Sequence, residues 1–121
     1  MGLLQLQVHE EAGRRVGVAN VVAEEVASPH MTGELKVEAL RFINRERPDV
    51  CIINWAGVQH AGTDSFGVML VLQKRLADWQ GELRLCGMNP LLTDSFTQCG
   101  LVRLIPLYDD VASARGGGKP A

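Results

Sequence analysis

The stretch Val50-Cys51-Ile52-Ile53-Asn54-Trp55, followed by the segment Ala56–Gly62 and then by Thr63-Asp64-Ser65-Phe66-Gly67, decides the fold. The first run is almost entirely apolar and β-branched, the pattern of a central strand buried on both faces. Ala56–Gly62 reads as a loop. Thr63 or Asp64 then opens a helix as its N-cap, and the helix runs to about Trp79, where Gly81 stops it. A doubly buried strand leading into an amphipathic helix is the building unit of a parallel sheet.

Working upstream, Leu35, Ala39, Phe42 and Ile43 fall at i, i+4, i+7 and i+8, which predicts a helix over Met31–Asn44. Thr32 is its expected N-cap and Arg45–Pro48 its end, because proline disfavours helical geometry in the residue before it. Before that helix, Leu4, Leu6 and Val8 alternate with Gln5 and Gln7, a strand with one wet face. Val16–Val22 alternates again, and Gly13 marks the turn of a hairpin between the two.

Downstream, Glu82–Cys86 reads as a strand with alternating faces. Asn89 and Pro90 start a third helix, with Leu91, Leu92, Phe96 and Cys99 on its apolar side and Gly100 at its end. Leu101–Leu107 gives a last short strand, and Asp109–Ala114 one more helical turn. The order is β-β-α-β-α-β-α-β. It defines an α/β domain with a small mixed β-sheet and helices mainly on one face, the other face being only partly covered. The expected organisation is a single domain over residues 1–115 and a flexible C-terminal tail over 116–121.

Composition narrows the function classes. The chain has 121 residues, enough for one core. Lys and Arg number 12 against 14 Asp and Glu, so the basic excess that nucleic acid demands is missing. No apolar run approaches the length of a membrane span, and the N-terminus lacks the basic segment of a signal peptide, so a cytoplasmic domain without membrane insertion is expected. Cys51, Cys86 and Cys99 sit among apolar neighbours without CxxC spacing and read as reduced core thiols. His9, His30 and His60 are scattered, so no metal site and no cofactor is expected. Phosphate-binding glycine loops and the GxSxG elbow are absent, and nothing pairs a nucleophile with a base. An enzyme is not expected.

The informative segment is Gly62–Gly67. The first N–H groups of a helix lack partners and carry partial positive charge, so hydroxyl, carboxylate or phosphate groups are stabilised there. Residues 63–65 can serve stability alone as caps, or lie exposed where a partner touches them. Phe66 and Met69 can share a helix face. That face belongs either to the core or to a binding surface.

Three further stretches carry a resemblance: Gly81–Pro90, Phe96–Leu101 and Leu104–Asp109. Together with Ile53–Val58 and the helical segment Gly67–Leu76, they resemble STAS domains of the anti-sigma factor antagonist type, over about residues 16–114. The resemblance implies a non-catalytic regulatory protein. Its partner would be an anti-sigma factor or serine/threonine kinase of the anti-sigma type, docked at the helix start and controlled by phosphorylation there. It also implies partner contacts from Gly62, Thr63, Asp64, Ser65, Phe66 and Met69. In the family this junction reads Asp-Ser-Ser/Thr-Gly-Leu-Gly, with the second hydroxyl as phosphoacceptor. Without gaps, Gly62 falls at the aspartate, Thr63 at the first hydroxyl, Asp64 at the phosphoacceptor and Ser65 at the glycine. Thr63 and Ser65 are therefore the phosphoacceptor candidates, and Asp64 a fixed, partial imitation of phosphate. With a gap, Asp64-Ser65-Phe66 also resembles the Asp-Ser-aromatic signature of stressosome scaffold relatives. A scaffold or transporter-associated subunit without a phosphoswitch is the alternative, and a homo-oligomer is compatible with either.

Overall fold

The computed structural model describes residues 2–116. Apart from Gly116, the tail expected at 116–121 lies outside the described residues. The first two strands, β1 (Leu4–Glu11) and β2 (Arg14–Val21), pair antiparallel from Leu4 opposite Val21 to Glu11 opposite Arg14. Ala12 and Gly13 between them both have positive φ, 50° and 78°. That is the two-residue turn whose twist matches a hairpin. A two-residue strand, β3 (Glu25–Val26), follows, and then α1 (Pro29–Glu46).

Helix α1 starts earlier than the periodicity alone indicates. The Met31 N–H donates to Ser28 Oγ at 3.1 Å, and Pro29 occupies the first turn. Ser28, and not Thr32, is the N-cap, because a serine followed by proline combines an oxygen acceptor with a ring already set for helical φ. Leu35, Ala39, Phe42 and Ile43 are its buried residues, as the spacing requires. The helix ends on Arg47 in the left-handed region.

The remaining elements are β4 (Val50–Asn54), β5 (His60–Ala61), α2 (Thr63–Ala77), β6 (Glu82–Cys86), α3 (Pro90–Gln98), a 3-10 turn (Leu101–Arg103), β7 (Leu107–Tyr108) and α4 (Val111–Arg115). The main sheet runs β1-β2-β4-β6-β7, parallel throughout except for β1, and β3 pairs with β5 in a separate parallel ladder. One face of the sheet presents Ala19, Cys51, Ile53, Leu83 and Leu85 to the apolar sides of α1, α2 and α3. The other carries Val16, Val18, Ile52 and Tyr108 under α4, which contributes the buried Ala114. Helices on one face and partial cover on the other are as the sequence implies.

Four local expectations are corrected. Strand β6 does not alternate between wet and dry, because α4 closes its second face. Even Arg84 is only 8% exposed, its guanidinium donating to Ala114 O and Glu82 Oε1. The strand expected over Leu101–Leu107 shortens to Leu107–Tyr108. A left-handed Gly100 leads into the 3-10 turn, and Pro106 cannot donate to a ladder. Leu91 and Cys99 are exposed, since Leu92 and Phe96 take the inward face and α3 stops at Gln98. On β1, Leu6 and Val8 are also exposed, because only the start of this edge strand reaches the core, through Leu4.

Candidate functional site

Helix α2 begins where the C-terminal ends of β2, β4 and β6 meet. Strand β4 ends on Asn54, whose amide donates to Asn20 Oδ1 at 2.8 Å while its Oδ1 accepts from the Ala56 N–H at 3.0 Å. Asn54 thereby ties β4 to β2 and folds the chain into the following loop. The Trp55 N–H donates to Cys86 O at 2.8 Å, which joins the same loop to the end of β6. Further on, Gln59 N–H donates to Glu24 O at 2.7 Å, Gly62 N–H to Val26 O at 2.9 Å, and Asn89 Nδ2 to Gln59 O at 3.2 Å. The loop that delivers α2 is fastened on both flanks, a role for β3 and β5 that two-residue strands cannot announce in a sequence.

The helix start departs from the sequence reading. Gly62 is the N-cap, with extended backbone and no side chain to offer the helix. Thr63, Asp64 and Ser65 are the first three helical residues, so neither Thr63 nor Asp64 opens the helix as its cap. Thr63 and Asp64 are exposed. The Asp64 carboxylate lies in the first turn, where the helix dipole favours negative charge.

Ser65 is fully buried, and its hydroxyl donates to Gly62 O at 2.7 Å. A kinase cannot reach that oxygen without unwinding the turn. Ser65 is therefore removed from the phosphoacceptor candidates and from any contact surface. Phe66 and Met69 are removed too, both being fully buried. Phe66 packs edge-to-face between Trp55, at 6.1 Å between ring centroids, and Phe96, at 5.4 Å. These aromatic contacts seat the first turn on the core, so that Thr63 and Asp64 stand on a fixed base.

The same edge of the sheet exposes two large apolar residues that the sequence reading placed elsewhere: Val22 beyond β2, 59% exposed, and Leu91 in the first turn of α3, 57% exposed. Leu91 was legible in principle, since Leu92 and Phe96 at i, i+4 leave it off the inward face. Among the described residues no group of three His, Cys, Asp or Glu is placed to hold a metal ion, and no helix is long and apolar enough to cross a membrane. The Cys51 thiol is pushed up to about 12 by burial, and Cys86 to about 12 by burial and the nearby Asp110 charge. Neither is a nucleophile at neutral pH.

This arrangement defines an exposed, rigidly mounted helix start. The STAS domain model matches residues 20–114, and the chain belongs to the STAS domain family. The anti-sigma F factor antagonist of Paenibacillus polymyxa is 22% identical over 111 residues, which cover 92% of this chain and 93% of the relative. The crystal structure of an anti-sigma factor antagonist from Mycobacterium paratuberculosis has the same fold, with a TM-score of 0.77 at 18% identity over 94% of this chain and 92% of its own. The Bacillus cell fate determinant SpoIIAA in its phosphorylated form matches with a TM-score of 0.64 at 15% identity, over 93% of this chain and 99% of its own.

Proposed function

We propose that the protein is a non-catalytic antagonist that docks on an anti-sigma factor, or a related serine/threonine kinase, through the start of α2, with the Thr63 hydroxyl as its phosphoacceptor. The observation that carries this reading is the exposure of Thr63 and Asp64 on a helix start whose N-cap, Gly62, supplies no capping side chain. Of the two hydroxyl candidates, Thr63 is exposed and Ser65 buried, so Thr63 alone is retained. A phosphate there would meet the positive end of the helix while placing about −1.5 to −2 charges in the docking surface, which sets a partner free by repulsion and desolvation. Val22, just beyond β2, and Leu91, in the first turn of α3, are exposed and offer apolar surface to a partner.

The test is incubation with the cognate anti-sigma kinase and ATP, followed by mass spectrometry and a binding titration. Phosphate is expected on Thr63 and not in Thr63→Ala. Asp64→Ser should change the dissociation constant more than tenfold, roughly 1.4 kcal/mol. No modification within residues 62–66 removes the switch. Affinities unchanged in both variants remove the docking site itself. The carboxylate at the family's acceptor position favours a second reading, a scaffold subunit without a phosphoswitch. It predicts an unmodified Thr63 together with a large assembly by light scattering.

A further inference from the structure

Cys86 ends β6 and Tyr108 ends β7. Both line a cavity of about 160 Å³ that residues of α3 also wall. Ligands of parallel sheets commonly sit at this end of the strands. Its apolar wall is formed by Met88, Leu107 and Tyr108, and Thr93, Thr97 and Asp109 supply the polar part. Leu107 and Tyr108 are buried, so the floor is built into the fold and is not a surface dimple. An apolar cavity of about 150 Å³ accepts benzene. The space therefore suits a body of about six carbons with one polar group attached.

The polar atoms decide which group that is. The Thr97 hydroxyl donates to Thr93 O at 2.7 Å, and the Thr93 hydroxyl to Met88 O at 3.4 Å. Both have committed their protons within the chain, so they offer lone pairs to a ligand. Asp109 is exposed, which puts it where the cavity opens, and it forms no ion pair among the described residues. A second negative charge is felt on the wall. Burial raises the Cys86 thiol, and the Asp110 charge raises it further. Arg84, whose guanidinium lies 5.6 Å from the Tyr108 ring centroid, is ion-paired to Glu82 at 2.8 Å and adds no free positive charge.

We propose that this cavity is a binding site for a small primary ammonium compound with a compact apolar body. Its N–H groups donate to the Asp109 carboxylate and to the two threonine oxygens, and its body lies against Met88, Leu107 and Tyr108. An ammonium carries three donors and no acceptor, which matches a wall of acceptors. A charge-assisted bond to the carboxylate is roughly twice as strong as a neutral one, so a neutral alcohol of the same size is the poorer ligand. An anion meets Asp109 and Asp110. A bare metal ion finds no group of three His, Cys, Asp or Glu among the described residues. Neither Thr63 nor Asp64 lines the cavity, so the site holds whether or not the start of α2 is a docking surface.

The test is an NMR titration of the backbone amides of the full chain with benzylammonium chloride. Benzyl alcohol and benzoate serve as neutral and anionic probes of similar size. Benzylammonium should shift the amides of Met88, Thr93, Thr97 and Tyr108 saturably, with a dissociation constant in the millimolar range or tighter. Benzyl alcohol should bind more weakly by about tenfold or more, and benzoate should not bind. Asp109→Asn keeps the shape of an exposed side chain and should bring benzylammonium and benzyl alcohol to similar affinities. Thr97→Leu, also at an exposed position, should fill the cavity and abolish both, with circular dichroism checking that the fold persists. No saturable shift at these amides, benzoate binding as well as benzylammonium, or an unchanged preference in Asp109→Asn would each overturn the proposal.

Discussion

Replacing Gly87 with alanine tests whether the mounting of the candidate site is as tight as its geometry indicates. Gly87 follows β6 with φ +76°, in the left-handed region. A methyl group there would lie 2.6 Å from Asn54 Oδ1, 2.9 Å from Ala56 N and 3.1 Å from Ala56 Cα. Two of these three atoms are backbone, and the third is held by its bond to the Ala56 N–H, so the neighbours have little room to give. The left-handed conformation costs a non-glycine residue about 1–2 kcal/mol, and overpacking adds about 1–3 kcal/mol. Gly87→Ala should therefore lose about 3 kcal/mol in urea unfolding, with an unchanged m-value. Gly100 supplies the control, having φ +78° and nothing within 4 Å of a built methyl. Gly100→Ala should cost only the conformational part, about 1–2 kcal/mol. The difference between the two variants isolates the crowding against Asn54 and Ala56. Equal losses, within the roughly 10–15% error of the extrapolation, would refute the claim that β6 and the loop after β4 are in rigid contact.

Thiol chemistry gives a second check: of the three cysteines, Cys99 should react rapidly with an aromatic disulfide reagent near pH 8, and Cys51 and Cys86 only on unfolding, since both are buried with thiols raised to about 12. A native protein with more than one fast thiol would contradict the packing of β4 and β6. Helix α4 should be sensitive to acid, because the Asp110 carboxylate accepts from the backbone N–H and side chain of Ser113, which hold its pKa below the usual 3.8. A lowered folded-state pKa means that this cap contributes fully above the ordinary carboxylate range and is lost as pH falls through the lowered value. The Ser113 amide resonance should report a midpoint below 3.8 and lose that titration in Asp110→Asn. A midpoint at or above the usual value would disprove the cap.

The succession of the main strands and helices along the chain was legible because its signals are long and redundant. Val50–Asn54 is apolar on both faces, and Leu35, Ala39, Phe42 and Ile43 keep a helical period over two turns. What escaped was set by contacts that no short window contains. Strands β3 and β5 consist of two residues each, and only their mutual pairing makes them strands. Arg84 looked like the wet position of an alternating strand, yet it is covered by the carbonyl end of α4, thirty residues away. At the candidate site the sequence carries the residue types but not their directions. Ser65 reads as a hydroxyl beside a helix start in any sequence. Whether it faces solvent or Gly62 O depends on where the helix begins, and a glycine N-cap gives no side-chain signal to fix that point to within one residue.

That one-residue offset changes the chemistry available to the site. With Gly62 as N-cap, Ser65 becomes the third helical residue and turns inward, while Thr63 and Asp64 take the two outward positions. A phosphate on Thr63 would then arrive beside a carboxylate already in place, and not at a neutral junction. The helix dipole favours both groups, but their mutual repulsion offsets part of that gain. Asp64 already carries about half the charge that phosphorylation would add, so the step between the two states is smaller than at a site with a neutral neighbour. On this geometry, Asp64→Asn should widen the affinity ratio between the unmodified and phosphorylated protein, and Thr63→Ala should leave a protein fixed close to its unmodified behaviour.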